Sequence, residues 1–410
     1  MTSMTTDQAS TPEQLRAEMV DRIVTNRQAV AGQHALSGRV LDVMRAVPRH
    51  LFVPDANLHQ AYAEEAVITK RSVDGAALSC ASVPGVVAMM LDQLDVQPGD
   101  RILEIGAGTG YNAALLAELT GPHGLVTTVD VDPEVTARTR QALDAAGYQR
   151  VHVLTADGQR GDPEHAPYDK LIVTVGPWDI PPAWWQQLAA GGRIVLPLRW
   201  RGQARAVAMV RHGDRLESDA VELCGFVPMV GDGQDGERTA TLAGGMLTMT
   251  WDADQDIDPR LLADVFDQPK QAAWSDQWVG PRESLDGIWL RLTATEPGTC
   301  RLVAEKGAFV AGLQNSVMPS RYPAIVDGDS LAFQTLRRAE DGARRWELGA
   351  VGHGPRGADL AARLCQQIRA WGSDQIVQPT ITAYPAATPA TRIGTEHVID
   401  KPHTRLVVTY

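Results

Sequence analysis

The spacing of apolar positions changes several times along the chain, and each change predicts an element. From Pro12 to Val30, Leu15, Met19, Ile23 and Val30 recur among charged residues at helical spacing, and a second helical segment follows over 36–46. Short apolar runs then alternate with helical stretches. Strands are expected over 101–105, 125–130, 151–155, 170–175 and 193–197, the last after a Gly191-Gly192 turn. Helices are expected over 84–94, 110–119 and 133–146, and Pro133 opens the third of these at its first turn. Strands separated by helices of this length imply right-handed βαβ units and a mostly parallel sheet. Two further runs, 204–210 and 221–226, read as antiparallel closing strands. The pattern then changes grain. A polar, Gly-rich run over 231–237 is the best linker candidate, and beyond it 287–294, 300–304 and 331–336 read as strands. One helix over 357–371 carries Leu360, Leu364 and Ile368 four residues apart, and 404–410 reads as a final strand. The expected organisation is a flexible tail (1–14), an α/β domain (15–230), a linker (231–237) and an α+β domain (238–410).

Composition narrows the function classes. The 410 residues carry a net charge of −12, which disfavours a general phosphate-backbone binder, so no nucleic-acid partner is expected. No apolar run approaches the ~20 residues of a membrane helix. The N-terminal segment has neither a basic nor an apolar signal region, so no membrane association and a cytoplasmic location are expected. Cys80, Cys224, Cys300 and Cys365 stand far apart without a CxxC, against a disulfide framework and against a cysteine zinc site; no metal is expected.

The most informative segment is the end of the first parallel strand, Glu104-x-Gly106-x-Gly108-x-Gly110, where a helix begins at once. Glycines here let the backbone turn sharply and approach a ligand. A dinucleotide site needs G-x-G-x-x-G, and Tyr111 occupies the position of its third glycine. The motif instead resembles the glycine loop of class I S-adenosylmethionine (SAM) methyltransferases, which implies a Rossmann-like fold and SAM as cofactor, with S-adenosylhomocysteine as product. Asp130 ends the second strand, where a carboxylate can accept ribose hydroxyls. Asp157-Gly158 follows the third strand, where an adenine amino group is read. Glu104, Gly106, Gly108, Gly110, Asp130, Asp157 and Gly158 are thus the expected cofactor-binding residues.

A longer resemblance then emerges. Val47-Pro-Arg-His-Leu-Phe-Val-Pro54, Ala61-Tyr62 with Glu64, Ser82-Val83-Pro84, Pro167-Tyr-Asp-Lys-Leu-Ile-Val-Thr174, Ile180-Pro-Pro182, Gln187-Leu188 with Gly191-Gly192-Arg193, and Phe226-Val-Pro-Met229 are collinear over about 15–230. Together they resemble the protein L-isoaspartyl O-methyltransferases. That family uses SAM to esterify the α-carboxyl group exposed at isoaspartyl residues, and the ester collapses to a succinimide. Two departures stand out. The family's Thr-Ile-Ser-Gln-Pro run is here Leu78-Ser-Cys-Ala-Ser-Val-Pro84, with Val83 for Gln, and a whole domain follows the last block. Within it, 327–331, 351–357 and 403–407 resemble the appended domain of a bacterial branch. Members of that branch methylate an aspartate side chain of a ribosomally made peptide, leading to aspartimide or isoaspartate.

The resemblance implies Ser82 as the active-site serine beside the methyl group, with a helix N-cap as its competing role. It also places His50, Phe52, Val53, Ser79 and Val83 on the peptide side. Tyr62 and Glu64 are expected to anchor the N-terminal helices. Trp178, Trp184 and Trp185 could wall the acceptor site or pack the core. Arg49 or residues 199–201 could supply a basic patch, and His353 could mark an anion perch at a helix entry. The preferred reading is a peptide aspartate methyltransferase, with general isoaspartyl repair as the alternative. A non-catalytic peptide-binding module is disfavoured by the intact glycine loop and both acidic residues. The partner is a peptide or protein bearing aspartate or isoaspartate, and the second domain is expected to recognise substrate or to form a homodimer.

Overall fold

The computed structural model describes residues 10–29, 34–230, 236–281, 283–313, 318–373, 375, 377–394 and 397–410. It divides into two compact units, Met1–Leu198 with Arg205–Gly233, and Arg199–Ala204 with Gln234–Tyr410.

The first unit begins with α1 (Pro12–Gln28). Thr11 accepts from the Gln14 N–H while the Gln14 side chain accepts from the Thr11 N–H, a reciprocal cap that starts the helix inside the segment expected as a tail over 1–14. The chain continues through α2 (Gly38–Ala46), α3 (Leu58–Ala61), a hairpin of β1 (Val67–Arg71) and β2 (Ala77–Ala81), and α4 (Pro84–Leu94). Then come β3 (Arg101–Ile105), α5 (Tyr111–Thr120), β4 (Leu125–Asp130), α6 (Pro133–Ala145), β5 (His152–Thr155), β6 (Tyr168–Val173), α7 (Pro182–Gln187), β7 (Leu188–Trp200), β8 (Gln203–His212) and β9 (Arg215–Leu223).

The strands of this unit run in the order β9-β8-β7-β6-β3-β4-β5. Pairing is parallel from β7 through β5 and antiparallel between β8 and β9, the expected Rossmann-like α/β architecture. After β3 the chain builds outward to β4 and β5, then returns to add β6 and β7 on the other side. That reversal opens a crevice at the carboxyl end of β3, where such sheets bind ligands. Ile102, Leu103 and Ile105 are buried in the sheet, and so is Glu104 between them. One expectation needs correction. The Gly191-Gly192 pair does not precede β7 but lies inside it. Tyr168 pairs with Leu188 and Lys170 with Arg193, so 189–192 form a wide bulge against β6.

The second unit is an antiparallel sheet of β10 (Glu237–Leu242), β11 (Leu247–Asp252), β12 (Gln271–Val279), β13 (Thr299–Ala304), β14 (Arg321–Asp327), β15 (Ser330–Arg338) and β16 (Trp346–His353), in the order β10-β11-β13-β14-β15-β16-β12. Helices α8 (Asp286–Thr295), α9 (Lys306–Val310), α10 (Gly357–Ser373) and α11 (Ala390–Ile393), and strands β17 (Thr380–Pro385), β18 (Ile399–Asp400) and β19 (Thr404–Thr409), complete it. Its core joins Leu360, Leu364 and Ile368 of α10 to Leu302, Leu331 and Leu348 of the sheet. The expected strand over 287–294 is instead helix α8. Ile288, Leu290 and Leu292 alternate as in a strand, yet Ile288 and Leu292 also share a helical face, and a short apolar run does not distinguish the two. The Thr299 hydroxyl, donating to the Leu292 and Glu296 carbonyls, closes the helix end. Of the expected linker over 231–237, residues 231–235 lie outside the described residues and Glu237 already opens β10.

Candidate active site

Two adjoining cavities occupy the crevice at the end of β3. The first is lined by Ser79, Cys80, Ser82, Glu104, Asn112 and Phe226, among others. The second is lined by Lys70, Ile105, Asp132, Val135, Gly158 and Met229, among others. Ser79, Gly106, Asp130 and Val175 border both.

Of the glycine loop, Gly106 borders both cavities and 107–109 the first, while Gly110 lines neither. Gly106, Gly108 and Gly110 have φ of 100°, 53° and 85°, in the left-handed region that side chains avoid. A Cβ on Gly106 would also stand 2.6 Å from Thr174 Oγ1, which donates to the Gly106 carbonyl at 2.7 Å. Glu104 is fully buried. Its Oε1 accepts from Asn112 Nδ2 at 2.7 Å, while Oε2 has no partner among the described residues. Burial pushes this carboxyl up to about 7, against the lowering effect of the Thr128 and Asn112 side chains. Asp130 receives two backbone N–H groups, Asp132 on Oδ1 at 3.1 Å and Gly108 on Oδ2 at 3.3 Å, and burial raises it as well.

The remaining expected residues divide. Gly158 reaches the second cavity, but Asp157 lines neither; it caps a short 3-10 turn, accepting from the Gln159 N–H at 3.0 Å. Ser79 and Ser82 line the first cavity. Ser82 is not the N-cap of α4. Val83 holds that position without a side-chain bond, and Val83 lines neither cavity. The start of α4 is held from a distance, by Glu64 Oε1 accepting from the Gly85 N–H at 2.8 Å. His50 Nδ1 lies 2.8 Å from the Tyr62 hydroxyl and His50 lines neither cavity, while Phe52 and Val53 are buried in the core, Phe52 against the Tyr111 ring.

Arg49 is no surface patch. Its fully buried guanidinium donates to the carbonyls of Ala61, Ala81 and Ser82 at 2.9, 3.3 and 2.8 Å, and lies over the Tyr111 ring. It thereby holds the segment that carries Ser82. The 199–201 run is likewise paired, Arg199 with Glu237 and Arg201 with Asp252 and Asp254. Trp184 and Trp185 are core residues whose Nε1 atoms donate to the Gly158 and Ile180 carbonyls, and Trp178 is buried too. His353 is not at an exposed perch. Its ring is buried beside Phe266 and Phe333, and the glycines around it allow the Gly352 and Gly357 backbones to touch.

The chain matches the family profile of protein-L-isoaspartate(D-aspartate) O-methyltransferase over residues 22–234. It belongs to that family. The protein-L-isoaspartate O-methyltransferase of Hyperthermus butylicus is 38% identical over 227 residues, 53% of this chain and 89% of that protein. That of Methanopyrus kandleri is 38% identical over 198 residues, 48% and 85% of the two. Among solved structures, a protein-L-isoaspartate O-methyltransferase superposes with a TM-score of 0.48 at 19% identity, over 90% of this chain and 96% of its own. The enzyme is thus a SAM-dependent methyltransferase of the class I, Rossmann-like fold.

The crevice suits such a cofactor on its own chemistry. An ionisable carboxyl with an open oxygen (Glu104) stands at one end, and a half-covered carboxylate (Asp130) lies between the cavities. Ile105, Val129, Val135 and Met229 make the second cavity apolar, as a flat base requires. Phe226 and Val227 border the first cavity and 228–230 the second, the segment held by Gly176 N–H donating to the Val227 carbonyl and Met229 N–H donating to the Gly176 carbonyl. Lys70, Asn112 and Thr174 were not expected here. Lys70 and Thr174 act through partners more than 60 residues away, and Asn112 reaches back eight residues to Glu104 from the first turn of α5. Among the described residues, no cluster of three or more His, Cys, Asp or Glu could hold a metal ion. None of the four cysteines is paired; Cys224 and Cys300 are pushed up to about 12 by burial, and Cys80 borders the first cavity.

Proposed function

We propose that this enzyme esterifies the α-carboxyl group of L-isoaspartyl residues in peptides and proteins. The observation that carries this reading is the family match over 22–234, which spans the whole glycine loop, both carboxylates and the Ser82 segment. When bound, SAM supplies an electrophilic methyl group on a sulfonium. The Gly106–Gly110 backbone and Glu104 hold its amino-acid end, Asp130 its ribose, and the Gly158 side of the second cavity its base. Asp157 contributes by shaping the Gly158 turn. On the acceptor side no general base is needed, because a carboxylate with a pKa near 4 is ionised at neutral pH. The protein's task is orientation, a contribution of about 7–11 kcal/mol in favourable systems. Ser82 is the orienting donor, kept in place by Arg49 through its own carbonyl, and Ser79 stands beside it. His50 steadies Tyr62 rather than touching the acceptor.

A narrower substrate, an aspartate side chain in a ribosomally made peptide, is favoured by one observation: beyond the family match the chain builds a second unit with its own core. On this reading the 238–410 unit selects the peptide or pairs two copies of the enzyme, and sedimentation of the full chain separates the two roles. No described helix is long and apolar enough to cross a membrane, and with four unpaired thiols we place the enzyme in the cytoplasm. The deciding experiment is SAM turnover on one short peptide made with isoaspartate or with aspartate at a single position. Methylation of the isoaspartyl form alone is expected. Methylation of neither, with SAM still bound, would refute isoaspartyl specificity and favour the narrower substrate.

A further inference from the structure

The β1–β2 hairpin borders both cavities through Lys70, Leu78 and Ser79, but it forms a two-stranded sheet of its own. A lone two-stranded hairpin is at best marginally stable in water, so its position depends on what tethers it. Its tip is exposed, Val73 fully so. Three tethers lead from it to the cofactor side of the crevice. Lys70 Nζ lies 2.5 Å from Asp132 Oδ2 and 2.7 Å from Glu134 Oε2, and Arg138 Nη1 donates to the Thr69 carbonyl at 3.5 Å. The pairing register slips on both sides of Lys70, between Ile68 and Lys70 and between Lys70 and Arg71. Such an irregularity re-aims a side chain; here the re-aimed side chain is the one that reaches across the cavity. Its partner is well chosen. Asp132 caps α6 with its other oxygen, accepting from the Glu134 N–H at 2.9 Å, and its own N–H donates to Asp130 Oδ1. One ammonium thus ties the hairpin to the loop that shapes the ribose carboxylate.

We propose that Lys70 is a positioning residue for the cofactor, a clasp that holds the β1–β2 hairpin closed over the second cavity and sets the Asp130–Asp132 loop beneath it. The proposal rests on the SAM-binding reading of the crevice and is independent of which carboxylate is methylated. Lys70 touches Asp132 and Glu134 and acts on the cofactor through them. The clasp is a partly solvated ion pair, so its strength must fall as salt is added.

The test is calorimetric titration of the full chain with S-adenosylhomocysteine at low and high salt, with hydrogen exchange over residues 67–81 in the presence and absence of that ligand. Lys70→Met is expected to weaken binding about two- to fivefold at low salt. Lys70→Arg should recover most of the loss, and the salt dependence of the unaltered chain should shrink in Lys70→Met. Exchange protection of 67–81 on binding should be lost in Lys70→Met and kept in Lys70→Arg. Glu134→Gln, which cuts only the outer arm, should weaken binding less, and should add nothing in the Lys70→Met background beyond its effect on α6. Unchanged affinity and protection in Lys70→Met would overturn the proposal. So would an equal loss of melting temperature with and without ligand, the mark of a merely structural residue. If the unaltered chain itself failed to bind S-adenosylhomocysteine, the cofactor reading would fall first and the clasp with it.

Discussion

Glu104 enters the folded chain as a fully buried carboxyl group whose Oε1 accepts from Asn112, and burial raises it from a usual 4.5 to about 7. Between those values the unfolded carboxyl is ionised while the folded one keeps its proton. The folded state therefore binds more protons there, and the stability of the ligand-free enzyme falls as pH rises through that window, by a few kcal/mol in all. Denaturant titrations from pH 4.5 to 7.5 should show this slope, and Glu104→Gln should flatten it. A bound ammonium group favours the ionised form, so affinity for S-adenosylhomocysteine should weaken as pH falls below about 7, by up to roughly tenfold per unit. Arg49 makes the complementary case. Arg49→Met leaves the Ala61, Ala81 and Ser82 carbonyls without their donor, at about 1–3 kcal/mol for each buried group left unsatisfied. We expect lowered stability and a larger loss of turnover than of cofactor affinity, because the disturbed segment is the one that carries Ser82. The placement of the glycine loop and of Asp130 at one crevice was legible from sequence because the signal is local: strand, turn, helix start. Arg49 was not, since its burial and its three carbonyl partners appear only once residues far apart in the chain have met.

At the scale of elements, β3 and the loop after it would hold most of the cofactor on the proposed reading, and Gly106 is where they are least tolerant. Gly106→Ala must adopt a positive φ and press on Thr174, so we expect a cost of about 1–3 kcal/mol and at least a tenfold loss of S-adenosylhomocysteine affinity by calorimetry. The helix α8 tests a different kind of legibility. Its alternating Ile288, Leu290 and Leu292 read as a strand, and the helix is decided by burial of Ile288 and Leu292 in the second core. Ile288→Ala should cost about 2–5 kcal/mol in urea unfolding. The parallel strands of the first unit were readable because each is a short apolar run bounded by a turn and a helix. The bulge at 189–192 was not, because two glycines describe a tight turn and a strand irregularity equally well.

For the whole molecule, charge and composition set the terms on which substrate arrives. The chain carries a net charge of −12 and its acceptor is itself a carboxylate, so encounter works against like-charge repulsion. For acidic peptides kcat/KM should rise a few-fold between low and physiological ionic strength, with kcat unchanged, as steady-state kinetics at several salt concentrations will show. The sequence changes grain near residue 231, while the second compact unit also takes in 199–204, and no residue pattern in 238–410 gives its role away. The four thiols, finally, form an ordered series. Cys300 and Cys365 are buried, while Cys80 and Cys224 are both partly exposed; burial raises all four thiols, Cys224 and Cys300 to about 12, and Cys80 alone of the four borders the first cavity. A mild alkylating label should therefore react there first and be slowed when the cleft is filled, so the native chain already carries a single-site optical gauge of cofactor occupancy.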